Sequence, residues 1–139
     1  MKIVLQDGHH FVLRFDKGEE VMAGLGNFLK EQGITACTFS GIGAVSEAEI
    51  AYFNPFTKEY RRKPFVEELE IGSLNGNGSV INGQPSVHMH AVFGKNDFTT
   101  LAGHVFKLVI GVTGEIFLTK LEGEMKRELN NEMNLNLLA

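Results

Sequence analysis

The sequence predicts an α+β fold, in which one early helix packs on a mostly antiparallel β-sheet of about seven strands. Three observations carry that expectation. Only residues 19–33 place apolar side chains at convincing helical spacing. Nearly everything after them reads as strands without helices between, and such a succession favours antiparallel pairing. Clusters of Asn, Gly and Pro punctuate those strands as turns. A chain of 139 residues without a linker, repeat or low-complexity stretch fits one domain, residues 1–139.

The elements follow in order. HFVLRF (10–15) alternates, with Phe11, Leu13 and Phe15 on one face and Val12 and Arg14 on the other. Asp16 offers a helix N-cap and Glu19, three residues on, completes a capping box. In EEVMAGLGNFLKEQG the residues Val21, Met22, Leu25, Phe28 and Leu29 form the apolar stripe, and Gly33 is suited to the left-handed cap. Gly24 and Gly26 weaken this helix unless they permit close packing on a sheet.

ITACTFSGIGAV and EAEIAYF read as two strands, NPFTKEY as a turn, and FVEELEIGSL as another strand. NGNG (75–78) and NGQP (82–85) are expected turns, because Asn and Gly tolerate positive φ. VHMHAVF, HVFKLVIGV and GEIFLTKLEG read as three more strands. The tail EMKRELNNEMNLNLLA reads as helical at first and ends in the apolar LNLL.

Composition narrows the function. Apolar residues make up 43% and charged residues 22%, ordinary globular usage. The N-terminal MKIVLQDGHHF is too short and polar for a signal peptide, and no apolar run reaches the ~20 residues of a membrane span. These features predict a cytoplasmic protein with no membrane partner. A net charge of −4 gives no global pull towards nucleic acid. The single cysteine, Cys37, lies in an apolar run and reads as a small core residue.

Three of the five histidines fall in VHMHAVFGKNDFTTLAGH (87–104). On a strand, residues two apart share a face and lie about 6.6–6.8 Å apart. His88 and His90 therefore project together, and Met89 points the other way. His104 returns beside them if the next strand pairs with theirs. Such a trio suits either an open metal site or a set of hydrogen-bonded structural imidazoles. An open three-nitrogen site keeps the full charge of a dication and favours an anion or hydroxide in its fourth position. Glu70 or Glu115 could stand behind the imidazoles and hold a ring N–H; the plainer reading of both is a solvated glutamate. His9 and His10 adjoin each other and, on a strand, face opposite ways.

GIGAVSEAEIAYF (41–53), LEIGSLNGNGSV (69–80), PSVHMHAVF (85–93), AGH (102–104) and GEIFL (114–118) together resemble successive motifs of the plant and prokaryote conserved (PPC) domain. The resemblance covers about residues 8–138 and implies a compact α+β domain assembled as a homotrimer. It implies a metal site, usually zinc, at His88, His90 and His104. Ala102 stands where many relatives carry a glycine. Plant members join this domain to an AT-hook, whose Arg-Gly-Arg-Pro core enters the minor groove. That core is missing here, and Arg61-Arg62-Lys63-Pro64 is only a basic patch, so DNA binding by this chain is not expected. The wider fold is similar to acetolactate decarboxylase, which also holds zinc with three histidines. That likeness implies a small anionic metabolite at the metal, with lyase or hydrolase chemistry as an option. Arg14, Arg61 and Arg62 are the candidate arginines to hold a carboxylate. The alternative is a DNA-associated or assembly module without enzymatic activity.

Overall fold

The computed structural model describes all residues, Met1 to Ala139. The elements run β1 (Lys2–Asp7), β2 (His10–Asp16), α1 (Val21–Glu31), β3 (Cys37–Asn54), β4 (Glu59–Phe65), β5 (Leu69–Ile81), β6 (Gln84–Gly94), β7 (Thr100–Lys120), β8 (Arg127–Asn130) and β9 (Leu135–Leu138). Seven strands form one antiparallel sheet in the order β1-β2-β7-β6-β5-β3-β4, and β8 with β9 makes a separate hairpin. Strand β3 also pairs with β7, so the circuit β3–β5–β6–β7 closes on itself. The α+β class and the single helix are as expected. The only helix has 11 residues, and no helix is long and apolar enough to cross a membrane.

Helix α1 begins one turn later than the capping box suggested. Glu19 does accept the Asp16 backbone N–H at 2.7 Å, but this closes the turn before the helix. The N-cap is Glu20, whose carboxylate takes the N–H groups of Met22 and Ala23. The same carboxylate accepts Leu108 N–H from β7 at 3.0 Å, so one side chain caps the helix and ties it to the sheet. That second partner lies 88 residues away in sequence, which is why local spacing favoured Asp16. The C-terminus closes as expected. Gly33 has φ +59°, and Ile34 N–H reaches the Leu29 carbonyl, a Schellman arrangement. Gly24 packs directly on the Phe15 ring, whereas Gly26 faces open space.

The β pattern holds with longer strands than expected. The two segments around Gly43 are one strand, β3, bent by register shifts rather than broken. HVFKLVIGV and GEIFLTKLEG are likewise one strand, the 21-residue β7. FVEELEIGSL is corrected: residues 66–68 link β4 to β5, so it is no single strand. The turn at 75–78 is also corrected, because NGNG lies inside β5. The tail forms the β8–β9 hairpin instead of a helix, and the polar N-terminus adds β1, paired to β2. The turn at Asn82-Gly83 stands, with φ of +50° and +75°.

The core lies between α1 and the inner face of the curved sheet. Phe11, Leu13 and Phe15 of β2 meet Leu25, Phe28 and Leu29 of α1, and Met89 and Phe93 of β6 are fully covered. Burial of this face fixes the register of β6, since a slip by one residue would exchange its two faces. The face opposite Met89 carries His88 and His90.

Candidate metal centre

Three neighbouring strands deliver the site. Antiparallel partners that lie opposite each other share a face. Asn75 of β5 sits opposite His90 of β6, which sits opposite His104 of β7. Asn77 sits opposite His88 one step along. The structure therefore brings His88, His90 and His104 together on the outer face of the sheet. One ligand nitrogen from each lies within 4.8 Å of the others, and the ring centroids are 5.0–5.3 Å apart. Tetrahedral zinc holds its nitrogens about 3.4 Å apart, so small rotations about the side-chain bonds would close the trio on one ion.

The surroundings are apolar and cationic. Tyr60 of β4 and Phe106 of β7 flank the His104 ring, each with its centroid at 4.8 Å. Arg62 lies over the Phe106 ring, 3.4 Å from its centroid, and 3.6 Å from a Glu49 oxygen. Arg127 of β8 reaches in from the C-terminal hairpin and lies 3.1 Å from His88 Nδ1. Nδ1 of His104 is buried with no hydrogen-bond partner. A buried ring nitrogen without a protein partner is costly, and its lone pair is suited to a cation or ligand. The residues present thus fit a nitrogen-ligated metal.

Burial, then the positive charges of His88, His90, Arg62 and Arg127, pushes His104 down to about 4 from 6.5. His88 is lowered too, by burial first and then by Arg127 and His90. The unfolded chain therefore takes up these protons at higher pH than the folded one. The contribution of these two imidazoles to the stability of the metal-free protein is full above about pH 6.5 and is lost as pH falls from there towards 4. We expect roughly 1–3 kcal/mol of this loss to vanish in His104→Gln. Urea unfolding of both chelated proteins between pH 7.5 and 4 checks it, and parallel pH profiles would refute it.

Other expected residues fall elsewhere. Glu70 is exposed opposite Gly94, and Glu115 lies opposite Arg14 and Ile42. Neither supports an imidazole, and no carboxylate oxygen lies within 4 Å of a ring nitrogen of the three. Arg14 pairs with Asp16 at 2.8 Å, and Arg61 is exposed on β4. Of the three candidate arginines only Arg62 borders the site. His9 lies 3.2 Å from a Glu122 oxygen, and His10 Nδ1 lies 3.1 Å from the Thr119 hydroxyl. Both stand apart from the trio. Cys37 is buried and its thiol is pushed up to about 11, so it is a core residue as expected.

The profile of the Plants and Prokaryotes Conserved (PCC) domain, the family abbreviated PPC above, matches residues 4–122. The chain belongs to this family. Solved structures superpose over nearly its whole length. A metal-containing protein of Archaeoglobus fulgidus is 36% identical, with a TM-score of 0.89 over 100% of this chain and 99% of its own. A PPC protein of Pyrococcus horikoshii is 31% identical, with a TM-score of 0.90 over 100% and 97%. A Bacteroides thetaiotaomicron protein, provisionally called DNA-binding, is 32% identical, with a TM-score of 0.94 over 97% and 94%. The fold alone is shared with α-acetolactate decarboxylase of Bacillus subtilis, at 12% identity and a TM-score of 0.56, over 91% of this chain and 58% of the enzyme. No protein of curated function matches the chain in sequence.

Proposed function

We propose that this PPC-domain protein binds one divalent transition metal, zinc, through His88, His90 and His104, and presents its open position to water or a small anionic metabolite. The convergence of three imidazoles from two paired strands carries this reading, with the orphaned His104 Nδ1 as its sharpest detail. Nitrogen-only ligation suits zinc, copper, nickel or iron rather than calcium or magnesium. The metal-containing archaeal relative adds support. When bound, such an ion supplies Lewis acidity. The chain's own part is to hold the ion on a rigid sheet, to wall it with Tyr60 and Phe106, and to keep carboxylates away from it. Metal content of the purified protein, measured after dialysis against zinc and removal of loose ions, tests the reading. One zinc per chain is expected, and none after reconstitution would defeat it.

The same reading includes a homotrimer. An apolar stripe crosses the outer sheet from Leu5 through Val12 to Phe117, with Ile42 on the next strand. Leu5, Phe117 and Ile42 are 58%, 46% and 51% exposed, a row of apolar side chains that a contact between copies would cover. Three copies of the 15.4 kDa chain give about 46 kDa by light scattering, assuming closed cyclic symmetry. A monodisperse monomer at micromolar concentration would exclude the trimer.

The basic patch Arg61-Arg62-Lys63 is exposed on β4, and it is the feature that a DNA-associated module would use. Arg62 is engaged by Phe106 and Glu49, and the chain carries −4 overall. We expect weak, strongly salt-dependent DNA binding at most. Sub-micromolar, sequence-selective binding in a gel shift near physiological salt would overturn this.

A further inference from the structure

We propose that Arg127 is the carboxylate-recognition residue of this site, released from His88 when metal binds, and that its ligand is a small carboxylate with an apolar body. The inference rests on the metal reading above. Arg127 lies beyond residues 4–122, where the family profile ends, so it belongs to the C-terminal hairpin rather than to the matched region.

The hydrogen bonds around Arg127 carry the first step. Its Nε donates to the Ser79 hydroxyl at 2.9 Å, and its NH1 donates to the Asn136 carbonyl at 3.0 Å. Its NH2 donates to Asn77 Oδ1 at 2.9 Å and lies 3.1 Å from His88 Nδ1. Every partner is neutral, and Arg127 makes no ion pair. A guanidinium donates and never accepts, so His88 Nδ1 must be the acceptor. A metal also needs a lone pair on this neutral ring. If it takes Nδ1, it displaces the guanidinium. If it takes Nε2, the ring proton moves to Nδ1 and faces a donor. Either way the contact between Arg127 and His88 is broken. The bonds to Ser79, Asn136 and Asn77 still hold the guanidinium beside the site and leave two of its five N–H groups unpaired, one on NH1 and one on NH2.

The second step comes from the space in front of these groups. A cavity of about 340 Å³ is lined by His88, His104, Arg127, Tyr60, Phe106 and Leu137 among others, with no acidic residue in its wall, and His90 stands just outside that wall. A freed guanidinium in this wall and a dication at its His88–His104 edge call for one anion between them. A carboxylate can accept from Arg127 with one oxygen and ligate the metal with the other. The aromatic and leucine walls then suit an aliphatic or aromatic body, and the volume fits a small molecule.

The test uses cobalt-loaded protein, whose visible spectrum reports ligand exchange, titrated with hexanoate and with its uncharged isostere hexanamide. Hexanoate is expected to bind the loaded wild type and to bind R127Q at least tenfold more weakly, while hexanamide binds both poorly. Cobalt content of one per chain in R127Q confirms that the variant is folded and loaded. Equal hexanoate affinity in loaded wild type and loaded R127Q would overturn the role of Arg127 and leave the metal reading standing. A wild type that takes up no cobalt or zinc would overturn both. If R127Q does not fold, a crystal structure of the loaded wild type with hexanoate decides instead. A guanidinium of Arg127 on the carboxylate supports the proposal, and a carboxylate bound away from it refutes it.

Discussion

His104→Ala is expected to lose stoichiometric zinc, with affinity falling by roughly two orders of magnitude or more. Groups that merely orient a metal ligand are worth 10–100-fold each, so loss of a ligand itself lies at or beyond that range. Two imidazoles on one strand would remain, with no third nitrogen to complete the set. His88→Ala and His90→Ala should behave alike, whereas His9→Ala and His10→Ala should keep full metal, because those rings stand with Glu122 and Thr119. Linked folding gives a second readout. Zinc at a hundred times its dissociation constant stabilises by about 2.7 kcal/mol, so chelation should lower the melting temperature of the wild type and leave His104→Ala unchanged. Mass-spectrometric metal content and thermal melts with and without chelator measure both effects. Full stoichiometric metal in His104→Ala would show that the trio is not the site.

The histidine cluster was legible partly from strand alternation and partly from the family resemblance. Alternation along a strand put His88 and His90 on one face; the family resemblance assigned His104, and the antiparallel pairing of β7 places it beside His90. The class of the fold was legible for a similar reason, since one helical stripe and a run of β segments leave few architectures. What escaped the sequence was long-range. Glu20 caps α1 because Leu108 of β7 comes to it, and no local spacing reveals that bond. Arg127 touches His88 only because the tail folds as a hairpin, and its Lys, Arg and Glu content reads equally well as helix. Phe106 was within reach: it lies two residues from His104 on the same strand and so shares its face. Glu70 and Glu115 were chosen by residue type alone, and type says nothing about which end of a long strand a side chain occupies.

Gly76→Ala is expected to destabilise the protein by about 3 kcal/mol, the upper part of the range for overpacking a well-filled interior. Read as a turn, NGNG would use its glycines for positive φ, and alanine would cost about 1–2 kcal/mol for that conformation. Within β5 the reason is different. Gly76 sits opposite Phe39 of β3 and Met89 of β6, both buried. A β-carbon there would lie 2.4 Å from the His88 carbonyl oxygen and 2.5 Å from the Phe39 ring. The ring cannot turn away without leaving the core, and the carbonyl belongs to the paired strand. The strands must therefore part where His88 is anchored, so zinc affinity should fall along with stability. Gly26→Ala is the matched control: it meets open space on a helix and should stabilise by roughly 0.5–1 kcal/mol. Urea unfolding of the two variants, with zinc content measured alongside, separates the cases. A Gly76→Ala protein within 0.5 kcal/mol of wild type would mean that β5 and β6 can spread at this point without cost, and that the close approach does not hold His88 in place.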